Sequence, residues 1–247
     1  MVNNDKYIQF SDMNNDGNII HLYTKNVFDF NLNNLSKNYI DNEYDEISKM
    51  LNCTFDKIIT AKQTHTNNVV KITKDNINDN FENVDGLITN VKNIALVTYS
   101  ADCQLIFLYD KRKKIIGNIH SGWRGTASRI IKNAINIMIE DYNSDVADIC
   151  AYICPSILSE CYAVGKDVRD IFIDNFSDIN IENYIKKQND DYMIDLVGIN
   201  VNVLMNLGIK RENIYTSDIC TKCNEEFHSY RRDREKSGRN IALIMLI

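Results

Sequence analysis

The amino-acid sequence predicts an α+β or mixed α/β fold, in which helices pack on the faces of a mixed sheet. Apolar runs of strand length outnumber the segments with helical spacing, and they are densest between residues 94 and 120. The chain has 247 residues, enough to bury a substantial core, and it carries no internal repeat and no Gly/Ser linker. We therefore expect one domain over residues 1–247.

Short apolar runs predict the first strands at residues 7–10, 19–23, 57–61, 69–73 and 86–89. The denser β region contains runs at 94–100, 104–109 and 114–120, each bounded by Asp, Lys or Gly turn residues. The basic cluster at 111–114 is then explained as the hairpin connection between the last two strands. The pattern of residues 1–56 is otherwise uninformative.

The second half of the chain alternates between helical and strand patterns. Apolar residues at helical spacing predict a helix over 126–142, and the same reasoning predicts helices over 166–176 and 197–207, the last ending at Gly208. Strands are expected at 149–154, 192–196, 214–216 and 241–246.

Composition and charge argue against several classes of protein. Lys and Arg number 28 against 34 Asp and Glu, so the net charge of −6 does not favour nucleic-acid binding. No apolar run approaches membrane-spanning length, and the N-terminal segment lacks the pattern of a secretory signal. Seven cysteines, an odd number, are then most simply reduced thiols, which favours a cytoplasmic location.

The string HSGWRG at residues 120–125 stands where a strand gives way to a helix. A helix N-terminus favours anions, so we expect Arg124, together with backbone N–H groups after Gly125, to bind an anion such as phosphate. Arg231 is a second candidate, because an inward-facing Arg can hold an anion with its planar fork of donors. An ordinary solvated charge is the alternative for Arg231.

Three metal-competent side chains, His65, Cys103 and His120, stand at the ends of predicted strands. If these strand ends converge, a thiolate with two imidazoles suits Zn²⁺ and leaves a fourth position for water or substrate. The alternatives are hydrogen-bonded or surface histidines and a small buried cysteine. Without a metal, Cys103 and His120 would instead form the nucleophile and base of a Cys/His hydrolase.

Cys220 and Cys223 form the most conspicuous local motif, a C-x-x-C pair. A structural zinc site needs a second pair at compatible spacing, and Cys150, Cys154 and Cys161 do not supply one. A redox dithiol lacks the expected βαβ context. We therefore interpret the pair as reduced thiols that line or support the site.

Five strings in order resemble the YfiH-like family, also called the multicopper polyphenol oxidase or laccase-domain family: KQTH at 62–65, DGLIT at 85–89, SADC at 100–103, HSGWRG at 120–125 and FHSYRR at 227–232. The resemblance implies a mixed β-sandwich flanked by helices, in four layers α/β/β/α. It also implies zinc held by His65, Cys103 and His120. The implied activities are phosphorolysis of adenosine, inosine and methylthioadenosine to a free base and (methylthio)ribose 1-phosphate, and deamination of adenosine.

The implied mechanism assigns roles to further residues. Zinc would lower the pKa of a bound water and so provide the hydroxide that deamination requires, and Asp102 is the nearest acid/base in sequence. For phosphorolysis, Arg124 and Arg231 would hold phosphate against the sugar. The chain departs from the family pattern at Gln104-Leu105, at Ala163, where a Glu is usual, and at His228, where an aromatic is usual.

Two further functions are open alternatives to the enzyme described above. A copper-dependent polyphenol oxidase needs additional His clusters, and the chain has only four His. A non-enzymatic, peptidoglycan-editing role would use the pocket only to recognise a ligand such as a cell-wall fragment, although the grouping of metal-competent and ionisable residues favours an enzyme.

Overall fold

The computed structural model describes residues 1–15, 17–31 and 35–247. Within these residues the strands are β1 (Val2–Asn3), β2 (Tyr7–Gln9), β3 (Ile19–Thr24), β4 (Lys57–Ile59), β5 (Ala61–Lys62), β6 (Val69–Ile72), β7 (Phe81–Glu82), β8 (Gly86–Thr89), β9 (Ile94–Ser100), β10 (Gln104–Asp110), β11 (Ile115–Ser121), β12 (Ile149–Ile153), β13 (Ala163–Val164), β14 (Ile185–Gln188), β15 (Asp191–Ile194), β16 (Ile214–Thr216) and β17 (Asn240–Leu246). The α-helices are α1 (Ser11–Asn14), α2 (Lys37–Met50), α3 (Trp123–Ala127), α4 (Ile130–Tyr142), α5 (Lys166–Asn175), α6 (Leu196–Asn206) and α7 (Tyr230–Asp233).

Two six-stranded mixed sheets form the centre of the molecule. The first sheet has the order β1-β2-β3-β17-β9-β4, and the second has the order β16-β12-β10-β11-β8-β6. Most neighbours are antiparallel, whereas β4 and β9, β12 and β16, and β6 and β8 pair in parallel. Two smaller sheets, β13-β15-β14 and β5-β7, lie outside this pair.

Side-chain alternation along the strands divides the core into layers. In β17, Ala242, Ile244 and Leu246 join the apolar cluster between the two sheets. The intervening residues Ile241, Leu243 and Met245 pack instead with α2 on the outer face of the first sheet. Each fully buried aliphatic side chain of this kind stabilises the fold by roughly 1.5–3 kcal/mol.

The outer face of the second sheet is covered in the same way. Ile106 and Leu108 of β10 pack with residues of α4 and α6, while Leu105 and Phe107 face the space between the sheets. The order of layers is therefore helix, sheet, sheet, helix, which confirms the mixed fold class and the four-layer sandwich that the family resemblance implies.

The predicted helix over 126–142 is two helices. It begins earlier than predicted, at Trp123, and is interrupted at Arg129, whose φ of 60° lies in the left-handed region. The Arg129 side chain is held by the Asp178 carboxylate and lies 4.4 Å from the ring centroid of Phe176. These contacts stabilise a backbone conformation that a non-glycine residue rarely adopts.

Helix α2 is absent from the sequence-based expectations. The Ser36 hydroxyl caps it by accepting a hydrogen bond from the Tyr39 N–H group, and Ile40, Tyr44 and Ile47 are buried along one face. The polar residues that surround these positions obscure the helical spacing. Its cap and its i, i+4, i+7 spacing were the available signals.

Among the described residues, no helix combines the length and the apolar character that crossing a bilayer requires.

Candidate functional site

The register of the β10–β11 hairpin brings Cys103 to His120. Gln104 pairs with Ser121 and Leu105 with His120, so Cys103, directly before β10, lies beside the end of β11. The turn at residues 111–114 connects the two strands, as predicted. Two residues far apart in the chain thus meet because an antiparallel ladder fixes which residues lie opposite each other.

The neighbouring strand β8 adds a buried carboxylate. Gly86 pairs with Ile119, and the backbone N–H of His120 donates to the carbonyl of Asp85 at 2.7 Å. The His120 ring donates from Nδ1 to Asp85 Oδ1 at 2.8 Å, which leaves Nε2 for a metal ion. A carboxylate on the far side of a histidine fixes the ring and its tautomer, as in many metal sites.

Asp85 also shapes the loop that carries His65. Its carboxylate accepts hydrogen bonds from the backbone N–H groups of His65, at 3.0 Å, and Thr66, at 2.8 Å, and from the Thr66 hydroxyl at 2.7 Å. These contacts support the left-handed backbone of His65, with φ of 63°. One buried side chain therefore positions both histidines.

The donor atoms of His65, Cys103 and His120 all lie within 4.8 Å of one another. His65 Nε2 is 4.0 Å from Cys103 Sγ, and the two imidazole rings are nearly perpendicular, with centroids 5.0 Å apart. A Cβ atom at Gly122 would lie 2.8 Å from His65 Cδ2 and 3.2 Å from Cys103 Sγ. Glycine is needed because any side chain at 122 would push two donors apart.

The charges of the site favour a metal-binding form of the cysteine. Burial raises the pKa of the Cys103 thiol, but hydrogen bonds and charge from His120 and His65 outweigh it and lower the pKa to about 6. Burial opposes a charge on His120 as well, yet Asp85 and Cys103 raise the pKa of its ring to about 9. Burial raises the pKa of Asp85, whereas hydrogen bonds from His120 and Thr66 bring it down to about 2. The site thus stabilises a thiolate, the form that binds metals.

One cavity, of about 470 Å³, opens onto the donor atoms, and we call it the histidine cavity. His65, Cys103 and His120 lie in its wall, together with the aromatic rings of Phe30, Tyr99 and Tyr230. Its volume is in the range of small-molecule binding sites.

A second cavity, the arginine cavity, has a volume of about 410 Å³ and shares Ala101, Cys103 and Tyr230 with the first. Its wall is mainly apolar and aromatic, with the charged groups of Asp102, Asp167 and Arg231, and it includes Trp123, Ile157, Tyr162, Val164, Val168 and Leu196. Cys103 therefore stands between two spaces of similar size.

Arg231 lies in the wall of the arginine cavity. Its Nη1 donates to the carbonyl of Ala163 at 3.0 Å, and its guanidinium is 5.2 Å from the ring centroid of Tyr162. Among the residues that the structure describes, no carboxylate forms an ion pair with this guanidinium. The family resemblance leads one to expect a Glu at position 163. Because Ala163 has no carboxylate to pair with Arg231, the guanidinium can bind an anion.

Arg124 and Asp102 have different surroundings. Arg124 is exposed, and its guanidinium lies 4.3 Å from the ring centroid of Trp123, which is part of the arginine-cavity wall. Asp102 is buried, and its carboxylate accepts hydrogen bonds from the Thr221 hydroxyl at 2.8 Å and the backbone N–H of Arg231 at 2.6 Å. Asp102 therefore holds the segment that carries Arg231.

The sequence led us to expect free backbone N–H groups after Gly125 that could bind an anion, and the position of the helix start makes this prediction wrong. Helix α3 starts at Trp123 with Gly122 as its N-cap, and the N–H of Thr126 already donates to the carbonyl of Gly122 at 2.8 Å. The other two residues that depart from the family pattern make hydrogen bonds within the fold. His228 bonds through Nε2 to the carbonyl of Phe28, and the Gln104 side chain accepts a hydrogen bond from Asn200.

Asp85 and Gly122 were missed as functional residues, although both occur in strings that carry the resemblance. Asp85 directly precedes a strand, and Gly122 precedes a helix, which are the available sequence signals. The C-x-x-C pair lies in a separate cluster with Cys161.

Comparisons with known proteins agree with this architecture. A family model described as "Multi-copper polyphenol oxidoreductase laccase" matches residues 25–247. A protein of Borreliella burgdorferi named purine nucleoside phosphorylase is 35% identical over 227 residues, which cover 92% of this chain and 91% of the relative. Purine nucleoside phosphorylase YlmD of Bacillus subtilis is 34% identical over 208 residues, or 80% of this chain and 74% of that protein.

Solved structures share the fold over almost the whole chain. The hypothetical protein YfiH of Bacillus licheniformis superposes with a TM-score of 0.90 at 26% identity, covering 99% of this chain and 97% of that one. YlmD of Geobacillus stearothermophilus gives a TM-score of 0.88 at 23% identity, covering 98% and 99%.

Proposed function

This chain belongs to the multi-copper polyphenol oxidoreductase laccase family, and we propose that it is a zinc-dependent purine nucleoside phosphorylase. It cleaves adenosine, inosine and methylthioadenosine with phosphate to the free base and ribose 1-phosphate or methylthioribose 1-phosphate. It also deaminates adenosine. The two relatives that carry the phosphorylase name support the substrate class. The seven free cysteines accord with a cytoplasmic location.

The donor set fits a zinc ion held by His65, Cys103 and His120. One thiolate and two imidazoles match the ligand preference of Zn²⁺, and three protein ligands are typical of catalytic sites. When bound, zinc would act as a Lewis acid and lower the pKa of a coordinated water toward neutrality. Asp85 orients His120 and Gly122 leaves room for the donors, so the chain prepares the site before a metal arrives.

Phosphorolysis needs phosphate held close to C1′ of the sugar. The phosphate oxygen forms a bond to C1′ as the bond from C1′ to the purine nitrogen breaks. The base leaves with that electron pair and takes up the proton that hydrogen phosphate loses. Arg231 binds the phosphate in the arginine cavity, because its guanidinium lies in the wall without an ion-pair partner among the described residues. Arg124, beside Trp123 of the cavity wall, adds a weaker contribution.

The nucleoside occupies the histidine cavity beside Cys103. Phe30, Tyr99 and Tyr230 offer aromatic surfaces there for the purine, and His65 and His120 lie in the same wall. For deamination, Asp102 is the acid/base that moves protons, since it directly precedes Cys103 and lies in the wall of the arginine cavity. Each of its carboxylate oxygens keeps a lone pair beyond the hydrogen bond it accepts.

The observation that carries the proposal is the position of Cys103. It belongs to the cluster of metal-competent donors and to the walls of both cavities, one lined by aromatic rings and one by Arg231, whose guanidinium has no ion-pair partner among the described residues. A nucleoside and a phosphate can therefore approach the same centre from two sides.

The direct test is incubation of the purified protein with adenosine and phosphate, followed by measurement of adenine, ribose 1-phosphate and inosine. We expect all three products from the wild type. Cys103→Ala should lose bound zinc and nearly all of both activities, because no thiolate remains at the shared centre. Cys53→Ala is the matched control, since Cys53 is also half-buried but lies outside both metal-competent clusters. Full phosphorolysis by Cys103→Ala would contradict the shared site.

A Cys/His hydrolase is the second candidate, favoured by the low pKa of the Cys103 thiol and by the His65 ring 4.0 Å from its sulfur. Metal analysis separates the two functions. Stoichiometric zinc with chelator-sensitive activity supports the phosphorylase, and metal-free protein with thiol-alkylation-sensitive activity supports the hydrolase.

Copper oxidation of phenols has less support, despite the family description. Multicopper chemistry needs further His ligands, but His21 lies in the core, where its Nε2 accepts a hydrogen bond from the N–H of Phe10. His228 contacts the carbonyl of Phe28. Both remaining histidines therefore make hydrogen bonds to the backbone away from the candidate site, where they cannot serve as further copper ligands.

A further inference from the structure

Three cysteines outside the proposed catalytic centre come together at the edge of the arginine cavity. Cys161 ends a short 3₁₀ turn before β13, whereas Cys220 and Cys223 lie in the loop after β16. Their sulfur atoms are all within 4.8 Å of one another, and the Sγ atoms of Cys161 and Cys223 are 3.1 Å apart. We call these residues the thiol cluster.

The backbone around Cys220 stabilises a thiolate. The N–H of Leu158 donates to Cys220 Sγ at 3.5 Å, and the backbone N–H groups of Lys222 and Cys223 are directed toward the same sulfur. An anionic sulfur held by amide groups of a C-x-x-C loop is well suited to a cation.

Three thiolates within 4.8 Å of one another would repel each other strongly if no cation lay between them. Within the described residues, no Lys or Arg side chain donates a hydrogen bond to the three thiols. A bound cation would remove this repulsion and make three thiolates compatible within one small volume.

We propose that Cys161, Cys220 and Cys223 form a second metal site, which takes a thiophilic divalent ion such as Zn²⁺ and is separate from the site of His65, Cys103 and His120. Three thiolates are a donor set that selects zinc over hard cations, and an external ligand completes four-coordination. The deprotonated thiols release their protons to solvent as the ion binds.

The location implies what the ion does. Cys161 directly precedes Tyr162 and Ala163, which form part of the arginine cavity. Thr221, next to Cys220, donates through its hydroxyl to Asp102 at 2.8 Å. An ion on the thiol cluster ties these two segments together and holds the cavity wall around Arg231.

Metal content of the full-length protein, purified without added metal, tests this proposal and does not depend on catalysis. We expect about two zinc ions per chain in the wild type and about one in Cys103→Ala. Cys223→Ser should also retain about one zinc ion, because it disrupts only the thiol cluster. Cys223 is exposed, so this substitution should not unfold the protein. Cys53→Ser, a half-buried cysteine outside both clusters, is the control and should keep both ions.

A cobalt titration of Cys103→Ala gives a second readout. The thiol cluster should produce the thiolate-to-cobalt absorption of a tetrahedral site, and the added change Cys220→Ser should remove most of it. Absence of this absorption in Cys103→Ala overturns the proposal. So does a count of five free thiols instead of seven in unreduced, denatured protein, which would identify a Cys161–Cys223 disulfide.

Discussion

The two metal-competent clusters of this molecule have the same size but different surroundings. In each, the donor atoms lie within 4.8 Å of one another. The cluster of His65, Cys103 and His120 lies at strand ends, between two cavities, with a buried carboxylate behind it. The thiol cluster joins two loops, and its hydrogen-bond donors are backbone amides.

This difference fits the two roles proposed above, a reaction centre for the cluster of His65, Cys103 and His120 and a structural metal site for the thiol cluster. Mixed donors between two cavities, near an arginine that has no ion-pair partner among the described residues, would leave room for substrates, whereas three sulfurs between loops would only connect those loops. Proximity of donors alone does not distinguish these roles. The groups that surround the donors do.

Of the substitutions considered, Asp85→Asn should change the metal affinity of one cluster most strongly relative to the other. The amide cannot accept the same set of hydrogen bonds from His120, His65 and Thr66, so metal affinity at the catalytic site should fall by about 10- to 100-fold. Competition with a chelator measures this affinity, and the ion on the thiol cluster should be unaffected. Asp110→Asn is a matched control, because Asp110 is equally buried but lies at the opposite end of β10. Equal loss in both variants would mean that Asp85 acts only through stability.

Arg231→Ala tests whether the anion site belongs to the centre between the cavities. Loss of a charged hydrogen bond costs about 1.5–3 kcal/mol, so the KM for phosphate should rise by roughly 10- to 100-fold. Adenosine deamination should change little, since it uses no phosphate. Steady-state kinetics of both reactions provides the measurement, with Arg231→Lys expected to be intermediate. An equal decrease of both reactions would assign Arg231 to the structure of the cavity wall.

Arg124→Ala should have the smallest effect. The guanidinium is exposed and stacked on Trp123, and an exposed ionic contact contributes about 0.2–1 kcal/mol. The KM for phosphate should therefore rise only about 2- to 5-fold, and the effect should shrink as the salt concentration increases. A larger effect than that of Arg231→Ala would reverse the order of the two arginines.

Strand positions were the most predictable part of the fold. The strands Gly86–Thr89, Ile94–Ser100 and Ile214–Thr216 have the predicted bounds, because continuous apolar runs with clear turn residues specify them locally. Helix α2 was missed, and the predicted helix over 126–142 divides at Arg129. The polar residues of α2 obscure its local helical spacing, whereas the break at Arg129 depends on a tertiary contact, that of Arg129 with Asp178.

For the site, the sequence itself determined the chemistry available: two imidazoles and a thiol at strand ends, two arginines, and a glycine turn before a helix. Only the tertiary structure decided which groups meet. Asp85 reaches His120 across 35 positions, and Cys161 reaches Cys223 across 62, through strand register and loop packing that no local spacing encodes. Side-chain identity is written residue by residue, whereas proximity is a property of the whole folded chain.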